Sequence, residues 1–191
     1  MSSKSGNRFC EKRTCSDKNL ERDDDSKKSH PALGRHASQI MAGLSFTLRR
    51  YRPADEDAVI ELWRRTWQLA YPAIDFATRV EWWRQRWHQD LVALATITVA
   101  ESDGGIVGFV TVDPKSFDLD QMVVAPEAWG SGLATALLAE AKRISPKGLD
   151  LHVNKDNVRA IRFYEKQGFV ICGEAMNWRS GALVHKMSWR P

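Results

Sequence analysis

Residues 123–141 read VVAPEAWGSGLATALLAEA, and the reading of this stretch sets the fold. An apolar run stops at Pro126, glycines flank Ser131, and a helical apolar spacing then begins. Leu133, Leu137, Leu138, Ala141 and Ile144 share one face of a helix predicted from Gly132 to about Ile144. Glycines at such a junction let the backbone turn tightly and approach a ligand closely, because no side chain obstructs it. The first amides of a helix have no partner within it, and the dipole favours negative charge there. The stretch therefore predicts a strand, an anion cradle at Gly130 and Gly132, and a helix.

Upstream, SFTLRRYRP predicts a strand from Phe46, and ADEDAVIELWRRTWQLAY a helix with acids in its first turn. Leu62, Trp63, Trp67 and Ala70 fall on one face of that helix, and Pro72 ends it. FATRVEWWRQRWHQ predicts a second helix. LATITVAES, DGG and IVGFVTVD read as a hairpin, and FDLDQMVVA as a further strand. Downstream, Leu149, Leu151 and Val153 alternate with Asp150, His152 and Asn154, the pattern of a half-buried strand. Asn157 suits the cap of a helix VRAIRFYEKQ that stops at Gly168. Two closing strands, FVICGEAMNW and ALVHKMSW, meet at RSG. The order implies an α/β (α+β) chain with a mixed sheet covered by helices on both faces, in one domain over residues 46–191.

Residues 1–45 are dense in charge and poor in apolar side chains, which predicts a disordered leader. Cys10, Cys15, His30 and His36 within it fit no familiar zinc spacing, so no metal site is expected. The chain has 191 residues, 43% of them apolar, and a formal net charge of +4. Acids interleave with the basic residues, which favours an anionic small ligand over nucleic acid. No apolar run is long enough to span a bilayer. Cys10, Cys15 and Cys172 cannot all pair internally, and a reduced, cytoplasmic setting is expected.

Two nucleotide folds compete for the glycine loop. Gly130-x-Gly132 begins the dinucleotide fingerprint, and Asp150 lies about twenty residues on. Thr135, however, stands where the third glycine or alanine belongs, and Asp150 begins its strand rather than ending it. A phosphate loop of the Walker type needs a Gly-Lys-Ser/Thr that is absent. A bare turn is the remaining alternative.

A second landmark narrows the choice. NKDNVRAIRFYEKQGF, residues 154–169, places Asn157, Ala160, Phe163, Tyr164, Gly168 and Phe169 in the pattern Asn-x-x-Ala-x-x-Phe-Tyr-x-x-x-Gly-Phe. With the glycine loop before it, the chain resembles the GNAT acetyltransferase superfamily, which moves an acetyl group from acetyl-CoA to an amine. Trp129 replaces the Gln or Arg that commonly opens the family's loop. The resemblance implies a largely antiparallel sheet. It also implies that Trp129, Gly130, Ser131, Gly132, Leu133, Ala134 and Thr135 hold a pyrophosphate. Met122, Val123 and Val124 would bind the pantetheine arm as an added strand, with a backbone amide there meeting the oxyanion. Asn157, Phe163 and Tyr164 complete the implied cofactor contacts.

The chemistry needs an acid and a base. An alkyl amine with a pKa near 10.4 is neutral in roughly one molecule in a few thousand at pH 7, and only that form attacks a thioester. Tyr164 is implied as the general acid that reprotonates the departing thiolate, and a packed core tyrosine is its bland alternative. For the base, His152 ranks first, then Asp118, then Asp120, which shares the face of Asp118 unless a bulge intervenes, and a water chain serves equally. The first two helices and their connection form the acceptor pocket in the family. There Tyr71 and Trp67 are the expected substrate contacts, together with Asp120. The expected function is direct transfer, in a ternary complex, to the primary amine of a small molecule. The alternatives are a non-catalytic acyl-CoA-binding or regulatory module, and a protein N-terminal or lysine acetyltransferase. A covalent route through Cys172 is disfavoured, and paired subunits are common among such proteins.

Overall fold

The computed structural model describes residues 44–177 and 180–191. Among these residues seven strands form one sheet: β1 (Thr47–Arg50), β2 (Thr96–Ser102), β3 (Gly105–Asp113), β4 (Asp118–Val124), β5 (Leu149–Asn154), β6 (Val170–Met176) and β7 (Leu183–Trp189). The principal helices are α1 (Glu56–Ala70), α2 (Val80–Arg86), α3 (Leu133–Ile144) and α4 (Val158–Lys166). The strand order is β1-β2-β3-β4-β5-β7-β6, with β4 and β5 parallel and every other neighbour antiparallel. The element order is the predicted one. The leader read over residues 1–45 lies outside the described residues except for Leu44 and Ser45, and Leu44 already packs against the core.

The centre of the sheet explains why helices cover both faces. Residues 107–112 of β3 are all buried, so both sides of this strand need a covering layer. Phe109 packs edge-on against Trp87, their centroids 5.5 Å apart, on the α2 side. Its neighbour Gly108 faces α3, where a Cβ would come within 3.1 Å of Leu133 and Leu137 side chains. That missing side chain seats α3 against the sheet. Leu133, Leu137, Leu138 and Ala141 are buried there, as their spacing requires.

Two helices depart from their simple readings. Leu62 and Trp63 of α1 are buried, but Ala70 in its last turn is exposed because the helix runs past the core before Pro72. The second helix is composite: a tight 3-10 turn at Ala77–Arg79, then α2, then a wider π turn over Trp87–Val92. Trp83, Trp87 and Leu91 are all buried. Their four-residue spacing outruns a 3.6-residue turn, and the wider turn keeps all three on the core.

Candidate active site

The site lies where the sheet opens. Asp118 and Asp150 form the only registered pair between β4 and β5, and the Asp150 N–H donates to Phe117 O at 2.8 Å. Past that pair the two parallel strands share no ladder. On its other side β4 stays bonded to β3, and Ala125 N–H donates to Val107 O at 2.9 Å. Antiparallel alternation then turns the amide and carbonyl of Val123 toward β3, and those of Met122 and Val124 toward the gap. Val123 is also nearly fully buried. The open edge available to an added strand is therefore Met122 and the amide of Val124, whose carbonyl is already engaged by the Trp129 side chain.

A bulge interrupts β4. Val112 pairs with Leu119 and Thr111 with Gln121, leaving Asp120 as the extra residue. Fully buried Thr111 compensates for the lost ladder bond: its Oγ1 accepts from Gln121 N–H at 2.9 Å. The bulge brings Asp118, Leu119, Asp120, Gln121 and Met122 into the wall of one cavity of about 750 Å³. Leu151, His152, Val153 and Asn154 of β5 form the facing wall, and Tyr164 of α4 also lines it. Trp63, Trp67, Tyr71, Phe76, Trp82 and Trp83 supply aromatic surface from α1, α2 and their connection. Among the predicted residues, Asp118, Asp120, His152, Tyr164, Trp67, Tyr71, Met122 and Asn157 thus meet around this space.

The three candidate bases stand in different electrostatic settings. Asp120 is held bidentate by Arg86, with one contact at 3.0 Å, and also accepts from Gln121 Nε2 at 2.8 Å. A carboxylate so engaged is a poor proton acceptor. Asp118 has no ion-pair or hydrogen-bond partner for its carboxylate among the described residues. Burial, then the neighbouring Asp120 charge, push it up to about 6. His152 pairs across the sheet with Lys186; burial first and that charge second hold the imidazole below its usual range. Tyr164 is 8% exposed, its ring between Phe163 and Phe169, and burial raises its phenol well above the ordinary value. It stays protonated across the whole physiological range, as a proton donor must.

The loop before α3 has the form of an anion cradle. Gly130 and Gly132 take φ of 81° and 86°, a left-handed conformation that side chains resist, and no atom lies within 4 Å of where either Cβ would be. Ser131 Oγ donates to Ala128 O at 2.7 Å, pinning the turn. Ala136 N–H donates to Gly132 O, which makes it the first amide taken by the helix. Before it, Leu133 N–H donates to Ser131 Oγ at 3.3 Å, and the amides of Ala134 and Thr135 belong to the open N-terminal turn. These residues fit a diphosphate. Trp129 lies across the mouth of the loop, 44% exposed, with its Nε1 donating to Val124 O at 3.1 Å. The Arg159 guanidinium sits 4.0 Å from its ring centroid. The cation absent at position 129 is thus delivered from α4.

Sequence reasoning missed several members of the site. Tyr71 Oη accepts from Asn154 Nδ2 at 2.7 Å and donates to Asp156 at 3.1 Å, tying the α1–α2 connection to the end of β5. Arg86, Asn154 and Asp156 carried no local signal beyond the alternation of β5, because their partners lie far away in sequence, and Arg79 carried none because only the fold brings it to the cavity. Asn157 does cap α4, accepting from Ala160 N–H at 3.1 Å, and its side chain also borders the cavity. Cys172 is exposed on β6, outside the cavity wall. No helix among the described residues is long and apolar enough to cross a membrane.

Comparison with known proteins agrees with this geometry. The model of the acetyltransferase (GNAT) family matches residues 56–169. Over 145 residues the chain is 31% identical to the peptidyl-lysine N-acetyltransferase YiaC of Escherichia coli, covering 74% of this chain and 95% of that protein. It is 28% identical over 133 residues to the peptidyl-lysine N-acetyltransferase YjaB of Salmonella typhimurium, covering 69% and 88% respectively. The solution structure of apo YjaB from Escherichia coli shares the fold, with a TM-score of 0.63 at 20% identity, over 76% of this chain and 98% of that one. So does an N-acetyltransferase of Thermoplasma acidophilum in complex with coenzyme A, with a TM-score of 0.59 at 21% identity, over 78% of this chain and all of that one. Because the family model spans more than half of its length, the chain belongs to the GNAT acetyltransferases, N-acetyltransferases whose acyl donor is acetyl-CoA.

Proposed function

We propose that the chain acetylates the primary amine of a small molecule by direct transfer, with Asp118 as general base and Tyr164 as general acid. The observation that carries this reading is Asp118 itself, a carboxylate in the cavity wall with no ion-pair or hydrogen-bond partner among the described residues, raised to about 6 and so ionised but basic at neutral pH. His152, the first choice on sequence grounds, is exposed on β5 and shares its rung with Lys186, whose charge disfavours the imidazolium a base must become.

Acetyl-CoA supplies an activated acetyl group when bound. The Gly130–Thr135 backbone would hold its diphosphate, and the open edge at Met122 and Val124 its arm. Asp118 accepts a proton from the incoming ammonium; desolvation among the rings lowers the amine's pKa as it raises that of Asp118, which narrows the gap between them. A gap-facing amide of β4 donates to the carbonyl oxygen as charge builds there. Tyr164 donates its proton to the departing sulfur, whose own basicity rises with the same burial, and recovers a proton from the second one that the acetylated nitrogen sheds. The catalytic domain is read as residues 46–191 with Leu44 packed ahead of it, in a cytoplasmic protein.

A second reading, transfer to lysine side chains of proteins, is favoured by the two relatives described above. Thiol release against a panel of small amines, beside mass spectrometry of candidate polypeptides, separates the two. Asp118→Asn and Tyr164→Phe are each expected to lower kcat by about 100-fold or more while leaving acetyl-CoA affinity within about twofold. If the unmodified protein releases no thiol with any amine or polypeptide, the reading fails in favour of a binding module.

A further inference from the structure

The cavity wall holds two arginines with different fates. Arg86 is bound to Asp120 on one side and lies 3.6 Å from Asp90 on the other. Arg79, at the start of the composite second helix, also lines the cavity, with its guanidinium 5.3 Å from the Phe76 ring centroid. Its backbone N–H donates to Phe76 O at 3.1 Å, but its guanidinium makes no ion pair and no hydrogen bond among the described residues. Elsewhere in the domain Arg49, Arg84 and Arg190 are each matched to carboxylates. Trp83, in the same wall, is 1% exposed, and its indole N–H is buried without a hydrogen-bond partner among the described residues. An unpaired guanidinium bordering a cavity calls for an acceptor-only group.

Resting on the acetyltransferase reading above, we propose that the acceptor amine carries a carboxylate, and that Arg79 receives it. A planar carboxylate matches the guanidinium fork, and its single charge balances the one arginine of the cavity wall that has no ion pair among the described residues. A phosphate dianion suits the site less well, because Asp118, Asp120 and Asp156 also border the space and would repel the second charge. The charge pattern selects against polyamines for the converse reason: a second ammonium would face Arg79 with no acid beside it. The acceptor is therefore zwitterionic, its ammonium toward the acidic strand β4 and its carboxylate toward the start of α2.

The test uses the full chain, acetyl-CoA, ω-amino carboxylates from glycine to 6-aminohexanoate, alkylamines of the same lengths, and the corresponding diamines. At one chain length the amino carboxylate is expected to exceed its alkylamine by at least about tenfold in kcat/KM. Arg79→Gln should raise KM for that amino carboxylate by about 10–100-fold, with acetyl-CoA KM and alkylamine turnover unchanged, and Arg79→Lys should recover part of the loss. Equal rates for amino carboxylates and alkylamines, or an Arg79→Gln loss shared by both, would overturn the assignment. If no amine of any kind is acetylated, the reaction assigned above fails instead. Tryptophan fluorescence titration with 6-aminohexanoate and the shorter homologues still decides Arg79: saturable binding that disappears in Arg79→Gln supports its role, and binding unchanged in that variant removes it.

Discussion

Asp118, the proposed general base, carries an energetic cost. Its carboxyl titrates near 3.8 when free and near about 6 in the folded chain. Between these values the native state keeps a proton that the unfolded chain has released, so stability falls as pH rises through that window. Above it the ionised side chain costs at most about 3 kcal/mol, and nearer 1–2 kcal/mol once partial solvent access is allowed for. Asp118→Asn is therefore expected to raise the unfolding free energy at pH 8 and to add nothing at pH 4, read by urea denaturation at both. An equal effect at the two pH values would show that Asp118 is not held out of its ordinary range. At this scale the sequence was informative for local chemistry and silent on long-range partners. Tyr164, Asn157 and the two loop glycines stand in recognisable spacings. Arg86 meets Asp120 across 34 residues, and Asn154 meets Tyr71 across 83, so only the folded chain discloses these pairs.

At the level of elements, the β4 bulge does the positioning. Thr111 Oγ1 takes the amide that the bulge leaves over, and a valine of the same shape would leave that N–H without an acceptor. Thr111→Val should cost about 1–2 kcal/mol in stability. It should also lower kcat by roughly tenfold, because Asp118 and Asp120 lose their support. Thr111→Ser, which keeps the hydroxyl, should spare both, and a Thr111→Val protein with unchanged midpoint and kcat would remove the hydroxyl's role. Helices and strands here were readable because one period dominates each: Leu133 to Ala141 at helical spacing, Leu149 to Val153 at strand spacing. A bulge has no such signature, since the extra residue is defined only against the register of its partner strand. The π turn at Trp87–Val92 was hidden for a related reason, because a four-residue repeat of large rings reads as ordinary helix until the core demands alignment.

Across the whole molecule, the sheet is two ladders joined at a single rung. On one side β1 to β4 are fully laced, on the other β5, β7 and β6; between them stands the Asp118–Asp150 pair. The order of elements was legible because each connection is short and each strand is bounded by turn residues, whereas the seam has no mark in the sequence. Its consequence lies in the protection of backbone protons. Amides of Val123 and Phe109, locked in the β3–β4 ladder, should exchange with deuterium slowly whether or not acetyl-CoA is present. Those of Met122 and Val124, facing the seam, should exchange quickly in the free protein and slow sharply once the donor completes the missing lacing; uniform rates along β4 would mean that the edge was never open.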